Sequence, residues 1–403
     1  AHSYYSTEGS SQCIRAMLFL ALQGALQNGK RPVLLAARNA HKALLYAAAL
    51  LDFDIRWLWP SVQAEGALCS CPVTAEALTG ALHALAQQGI SPFGVYVTSP
   101  DYLGGVQDIP ALAAVCRAQG VPLLVDNAHG AYLRFLPQNC HPIAQGAAMC
   151  CDSAHKTLPV VTGGAYLHLA HDAPVQDEAA VRGALALFGS TSPSYLILQS
   201  LDACNAVLAG DYPRRLAQCC AALEGLRRSL NKAAAARQCP VPLAVAGAQQ
   251  EPMKLTLDAA ALGCTGTALA EALRCAQMEC EYADPRYVVL MFTPENPPQD
   301  YTRLQTALEQ LLAAVPAGLL RPENRAGEFA ALQQQAVQHC TIRQAVLGAQ
   351  VRVPVHKALG RVCAMPTVSC PPAIPVAVSG EEITPAAIAL MQRYGIEELS
   401  VLR

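Results

Sequence analysis

Lys156 closes the segment Asp152-Ser153-Ala154-His155-Lys156, directly after the apolar stretch Ala147-Ala148-Met149-Cys150-Cys151. A lysine set where a buried strand stops, among small hydroxyl and imidazole side chains, is partly stripped of water. Desolvation lowers an amine's pKa and frees its lone pair for attack on a carbonyl. Three other polar clusters follow apolar runs or open a helix. "STEGSSQ" (6–12) offers Gly9, which lets the backbone approach a ligand, and the hydroxyls of Ser10 and Ser11. At a helix start, free N–H groups and the helix dipole favour a phosphate. "ARNAHKA" (37–43) carries His41, and "VDNAHGA" (125–131) carries Asp126 and His129. A carboxylate such as Asp126 at the end of an apolar strand needs a cationic or donor partner.

Taken singly, each feature has an ordinary reading. A lysine after a strand is usually a solvated charge. Asp at a strand end is often a helix cap. His41 and His129 are compatible with hydrogen-bonded core or surface positions. In the order phosphate loop, histidine, acid, lysine they fit one ligand, pyridoxal phosphate, which requires a Schiff-base lysine, an acid at the pyridinium nitrogen and a phosphate cup. No metal site is expected: the pairs Cys150-Cys151 and Cys219-Cys220 and the spacing Cys69-x-Cys71 do not make a zinc pattern.

The elements that must position these groups follow from the apolar rhythm. Strands are expected at 32–36, 93–97, 121–125 and 147–151, and helices at 40–51 and 109–119. Continuous apolar strands alternating with helices predict a mostly parallel sheet covered on both faces, that is, an α/β large domain. In such a sheet ligands bind beyond the carboxyl ends of the strands. After 202 the pattern changes to a long helix over 212–234 and a smaller α+β unit with strands at 253–257 and 287–291 and helices at 265–277 and 299–315. A third segment from about 325 holds a helix and Pro-rich loops around "SCPPAIPVAVSGEEI". The expected domains are therefore 1–235, 236–320 and 321–403.

The formal net charge of -2 and the absence of a basic block argue against nucleic acid. No run reaches the roughly 18 apolar residues that cross a bilayer, and no signal peptide is expected. With 53% hydrophobic and 14% charged residues, the chain buries a large core and has surface to hide in an oligomer. The 17 cysteines, mostly in apolar contexts, suit a reducing cytoplasm.

"YYSTEGSS", "ARNAHKALL", "VTSPDYLGGVQDI", "VDNAHGAYLRF", "DSAHKTLPVVTGGAYLH", "STSPSY", "MKLTLD", "ECEYADPRYVVLMFTP" and "GRVCAMPTVSCPPAIPVAVSGEEI" resemble segments of the Orn/Lys/Arg decarboxylase family, pyridoxal phosphate enzymes of fold type I. The resemblance covers nearly the whole chain. It implies that Lys156 is the Schiff-base lysine and that Asp126 holds the pyridine nitrogen protonated. It implies that His41 stacks on one ring face with Ala128 on the other, and that His129 adjoins the site. Ser10, Ser11, Ser153 and His155 would surround the phosphate. Ser190 or Thr191 would reach the phosphate of an adjacent subunit, so the resemblance implies a homodimer with shared active sites. The implied reaction is decarboxylation of lysine, arginine or ornithine to the corresponding amine, a step of polyamine synthesis, with Lys156 or a histidine returning a proton.

Three departures stand out. The family has a segment before the "TEGSS" loop, whereas this sequence begins almost on that loop. Asn127 stands where the family often has Glu. The family's "YPPGIP" is here Cys370-Pro371-Pro372-Ala373-Ile374-Pro375. Two other expectations remain open at this level: another pyridoxal phosphate reaction, of aminotransferase or aldolase type, and a truncated, inactive regulatory homologue.

Overall fold

The computed structural model describes residues 1–23, 31–60, 68–315, 328–366 and 374–403. Its centre is a seven-stranded sheet in the order β1-β7-β6-β5-β4-β2-β3. The strands are β1 (His2–Ser6), β2 (Val33–Ala37), β3 (Asp54–Leu58), β4 (Val95–Thr98), β5 (Leu123–Asp126), β6 (Met149–Asp152) and β7 (Ala165–Leu169). β3, β2, β4, β5 and β6 run parallel, while β7 is antiparallel to both β6 and β1. The expected strands in the first half lie within one to two residues of β2, β4, β5 and β6. β1, β3 and β7 were not expected. The exposed side chains of His2 and Ser3 in β1 and of Arg56 in β3 break the apolar run that marks a central strand.

Successive strand residues point to opposite faces, and two cores result. Leu34, Ala36, Tyr96, Leu124, Met149 and Cys151 face one way, toward the helices Gly9–Gln23, Lys42–Leu51 and Glu178–Leu187. Leu35, Val95, Val97, Leu123, Val125 and Cys150 face the other way, toward the helices Ala75–Gln87 and Ile109–Ala118 and the C-terminal residues Ile374 and Val401. Helix starts are capped locally. Asp108 Oδ1 accepts from Ala111 N–H with Pro110 in the first turn, and Thr74 Oγ1 accepts from Ala77 N–H.

The helix Tyr212–Ala236 leads into a three-stranded antiparallel sheet, β8 (Lys254–Asp258), β10 (Tyr287–Met291) and β9 (Tyr282–Ala283), with the helices Gly266–Cys275 and Pro298–Ala313. Leu223, Leu230, Leu255, Leu257, Val288, Leu304 and Leu308 form its core. The position 235/236, where a boundary was expected, falls in the last turn of the long helix. The position 320/321 lies outside the described residues. The C-terminal part carries more regular structure than the expected single helix and loops: helices Glu328–Gln335, Ile342–Leu347 and Pro385–Arg393, and an antiparallel pair, β11 (Gln350–Pro354) and β12 (Glu398–Leu402). Of the Pro-rich segment, 369–373 lie outside the described residues. No helix among the described residues is long and apolar enough to cross a membrane.

Candidate active site

Parallel pairing brings three strand ends to one rim. Thr98 pairs with Asp126, and Asp126 with Cys151, so β4, β5 and β6 stop together. The helix Gly9–Gln23 starts beside them. Gly9, in the left-handed region at φ 71°, donates its N–H to Gly163 O at 2.8 Å, and Ser153 Oγ donates to Ser10 Oγ at 2.8 Å. Ser10, His41, Asp126, Ala128, His129 and Lys156 line one cavity, closed further by Asn39, Thr98 and Tyr102.

Asp126 is buried at its end of β5. Its Oδ2 accepts from Tyr96 Oη at 2.9 Å, and its Oδ1 accepts from Ala128 N–H at 3.2 Å and, more distantly, from the Cys151 thiol at 3.7 Å. Tyr96 lies on the neighbouring strand and points to the same face, so the pleat itself presents the hydroxyl. These donors are all neutral. A dry carboxylate so placed is matched to a cation arriving from the cavity.

Lys156 Nζ lies 3.1 Å from His129 Nε2. Burial, then the positive charges of Lys254 and Lys156, push the His129 imidazole well below its ordinary pKa. It is therefore neutral near pH 7 and accepts from the lysine ammonium. Its Nδ1 is buried with no hydrogen-bond partner among the described residues. The Tyr102 ring packs edge-on against it at 4.9 Å, and Tyr102 Oη donates to Glu281. Lys254, buried beneath, stands 5.5 Å from the Tyr102 ring and donates to Asp101 O at 2.8 Å, its pKa lowered by burial. His41 caps the helix Lys42–Leu51: its Nδ1 accepts from Ala43 N–H at 3.2 Å. Burial lowers its pKa as well, leaving the uncharged ring with its hydrogen on Nε2.

The other expected residues fall elsewhere. Ser11 is half-buried one residue further along the helix and does not line the cavity. His155 turns its Nδ1 to Gly164 O at 2.9 Å. Ser190 and Thr191 are exposed on the segment before the helix Tyr195–Ala209, where Ser190 Oγ donates to Ser192 O. Residues not singled out in the sequence also matter: Tyr96, Asn39, Thr98 and Tyr102. Asn39 precedes His41 by two residues, and Thr98 ends a strand at the same rim as Asp126, so both carried a positional signal. Tyr96 carried none, because a tyrosine within an apolar run looks like core.

Pyridoxal phosphate fits this donor set. The side-chain amide of Asn39, 1% exposed, has neither its nitrogen nor its oxygen paired, and His129 Nδ1 is likewise unpaired. Buried polar groups without partners around a cavity mark a polar occupant. The primary amine of Lys156, the carboxylate of Asp126 and the helix start at Gly9–Ser10 suit its aldehyde, its ring nitrogen and its phosphate respectively.

The family model for the Orn/Lys/Arg decarboxylase major domain matches residues 1–249. The arginine decarboxylase of Bacillus subtilis (strain 168) is 26% identical over 391 residues, covering 95% of this chain and 76% of that protein. The crystal structure of the Francisella novicida lysine decarboxylase LdcF superposes with a TM-score of 0.77 at 18% identity, covering 100% of this chain and 70% of its own. Mouse CSAD in its apo form superposes at a TM-score of 0.57 and 17% identity, over 77% of this chain and 72% of its own. At those identities the two structures speak for the fold, that of the fold type I enzymes. The match over residues 1–249 goes further: the chain belongs to the Orn/Lys/Arg decarboxylase family and is a pyridoxal phosphate-dependent amino acid decarboxylase.

Proposed function

We propose that the chain removes carbon dioxide from lysine, arginine or ornithine, leaving the corresponding amine for polyamine synthesis. The observation that carries this reading is the shared cavity: Lys156, Asp126, His41 and Ala128 all line it. In this account Lys156 bonds the cofactor, and Asp126 takes the ring nitrogen. His41 and Ala128 flank the ring, and Gly9, Ser10 and Ser153 form the phosphate side. The bound cofactor supplies an electron sink for the bond to the departing carboxylate.

The protein's own groups do the rest. Asp126, kept dry and oriented by Tyr96 and the Ala128 N–H, holds a proton on the ring nitrogen. His129, uncharged and 3.1 Å away, orients Lys156 through their hydrogen bond, while the proton that Lys156 must shed before it can act as a nucleophile leaves to solvent. Lys156 or a histidine then returns a proton to the carbon that lost carbon dioxide. Tyr102 and Asn39 close the cavity and limit water around these transfers.

The active unit in this reading is a homodimer in the cytoplasm. Ser190 and Thr191 are exposed beside Tyr195 and Leu196, which are 83% and 74% exposed. Such neighbouring apolar side chains suit burial against a second copy, in which Ser190 or Thr191 would meet that copy's phosphate. The described cysteines are all free thiols, compatible with a reducing compartment.

The test is a panel of lysine, arginine and ornithine assayed for carbon dioxide and amine without any keto acid. It is joined to borohydride reduction of the cofactor-loaded protein and peptide mapping. The expected label sits on Lys156, and Lys156→Ala loses both the label and at least about a hundredfold of turnover. A requirement for a keto acid, or a label on another lysine, refutes the assignment.

A further inference from the structure

Cys150 and Asp152 alternate with Cys151 along β6, so they face away from Asp126, into the other side of the sheet. Cys150 pairs across the strands with His168 of β7, and His168 pairs in turn with Ser3 of β1. The loop before β6 brings His141 over the same spot. From this convergence we infer that His141, Cys150 and Asp152, with His168 beside them, form a binding site for a zinc-class divalent cation.

The distances carry the inference. His141 Nε2 lies 3.1 Å from Asp152 Oδ2, Cys150 Sγ lies 3.7 Å from His141 Nε2, and Cys150 Sγ lies 3.9 Å from Asp152 Oδ1. One ligand atom from each residue falls within 4.8 Å of the others. A tetrahedral zinc with its usual bonds to nitrogen, oxygen and sulfur separates such ligand atoms by about 3.3–3.6 Å; the His141–Cys150 and His141–Asp152 pairs stand within a few tenths of an ångström of that spacing, and a turn of the Asp152 carboxylate brings one oxygen toward both. The sulfur contacts are long for hydrogen bonds but near the edges of a coordination polyhedron.

His168 Nε2 is also 3.1 Å from Asp152 Oδ2, and its Nδ1 meets Ser3 Oγ at 2.7 Å. An acceptor on the far ring nitrogen, here the Ser3 hydroxyl, orients a metal-binding imidazole. His141, Cys150 and Asp152 are buried, yet a cavity of about 940 Å³ lined by Ser3, His141, Asp152, Tyr166 and His168 gives an ion a way in. The Tyr166 hydroxyl at that cavity is buried without a partner among the described residues.

Charge balances: Cys150 releases its thiol proton to solvent as the ion binds, and thiolate plus carboxylate neutralise the dication. His141 binds with its hydrogen on Nδ1, which gives up the 3.4 Å contact from Ile143 N–H. Donors of one sulfur, one oxygen and imidazole nitrogen favour zinc over magnesium or calcium. The sequence could not show this site, because its ligands are scattered over three segments without a motif spacing. Asn127 Nδ2 donates to Asp152 Oδ1 at 2.7 Å, so the ion would brace the ends of β5 and β6, which carry Asp126 and lead to Lys156.

Crystals of the cofactor-loaded protein soaked in zinc chloride, measured at the zinc absorption edge, test the inference. The expected result is an anomalous peak within bonding distance of Cys150 Sγ and His141 Nε2. Calorimetric titration of Zn²⁺ should weaken at least about tenfold in Cys150→Ser and in His141→Gln. No peak at this cluster, whether zinc is absent or bound only at other cysteines, overturns the site, and so does undiminished binding by Cys150→Ser. Because the crystal measurement uses the unmodified chain, a variant that fails to fold leaves the decision with that result.

Discussion

Glu381→Gln should destabilise the protein by about 3 kcal/mol, because it strands a cation that has no water to turn to. Arg38 follows β2 and has 0% exposure. Its guanidinium makes two bonds to Glu381, at 2.8 and 2.7 Å, and a weaker one to Pro375 O at 3.3 Å. It sits between Trp57 and Trp59, with ring centroids at 4.8 and 4.5 Å. Glu381 Oε2 also accepts from Val378 N–H at 2.9 Å. Removing one partner of a buried, hydrogen-bonded pair costs about 3–5 kcal/mol. The glutamine oxygen keeps one acceptor and the indole faces still attract the cation, which places the expected cost at the low end.

The assay is urea unfolding followed by tryptophan fluorescence. The sequence has 2 tryptophans, and both flank Arg38, so the signal reports on this locus. The shift should appear in the midpoint with an unchanged slope. The pair Arg38→Met with Glu381→Leu should cost less than either single change, since apolar replacement of both partners removes the desolvation penalty along with the attraction. A cost below about 1 kcal/mol for Glu381→Gln, or a double variant whose cost is the sum of the singles, would refute the reasoning.

Tyr96→Phe removes the hydroxyl that holds Asp126 at 2.9 Å. A hydrogen bond to a charged acceptor contributes about 1.5–3 kcal/mol, so cofactor retention measured by equilibrium dialysis should weaken about ten- to a hundredfold. Unchanged retention would show that Asp126 does not need the tyrosine. Glu251, hydrogen-bonded by Tyr132 and by Met253 N–H, is pushed by burial from 4.5 to about 7. A carboxyl raised in the folded state binds more protons than it does in the unfolded chain, so its stabilising contribution is present in acid and fades as pH rises from about 4.5 to 7. Glu251→Gln should flatten that fall, worth on the order of 3 kcal/mol, in urea midpoints taken across the same range. A parallel pH dependence in both proteins would count against the shift.

Much of the site was legible because parallel strands carry their ligand groups at their carboxyl ends. The apolar runs ending at Asp126 and at Cys151-Asp152 therefore pointed to one rim before any coordinates did. What escaped was lateral. β7 is preceded by the glycines 163 and 164 and returns antiparallel, and nothing in its own five residues states a direction. Tyr96 and Tyr102 belong to the site only because neighbouring strands and loops present them to Asp126 and His129.

By itself, then, the amino-acid sequence determined which segments become strands and helices, and which short clusters carry the amine, the acid and the phosphate loop. Those features depend on periodicity and on residues adjacent along the chain. Only the tertiary structure decided which face each group occupies and what meets it there. A strand's alternation sends Asp126 to one side of the sheet and Asp152 to the other. The order of strands, set by long-range packing, then chose Tyr96 for the first and His168 for the second, where the loop before β6 adds His141.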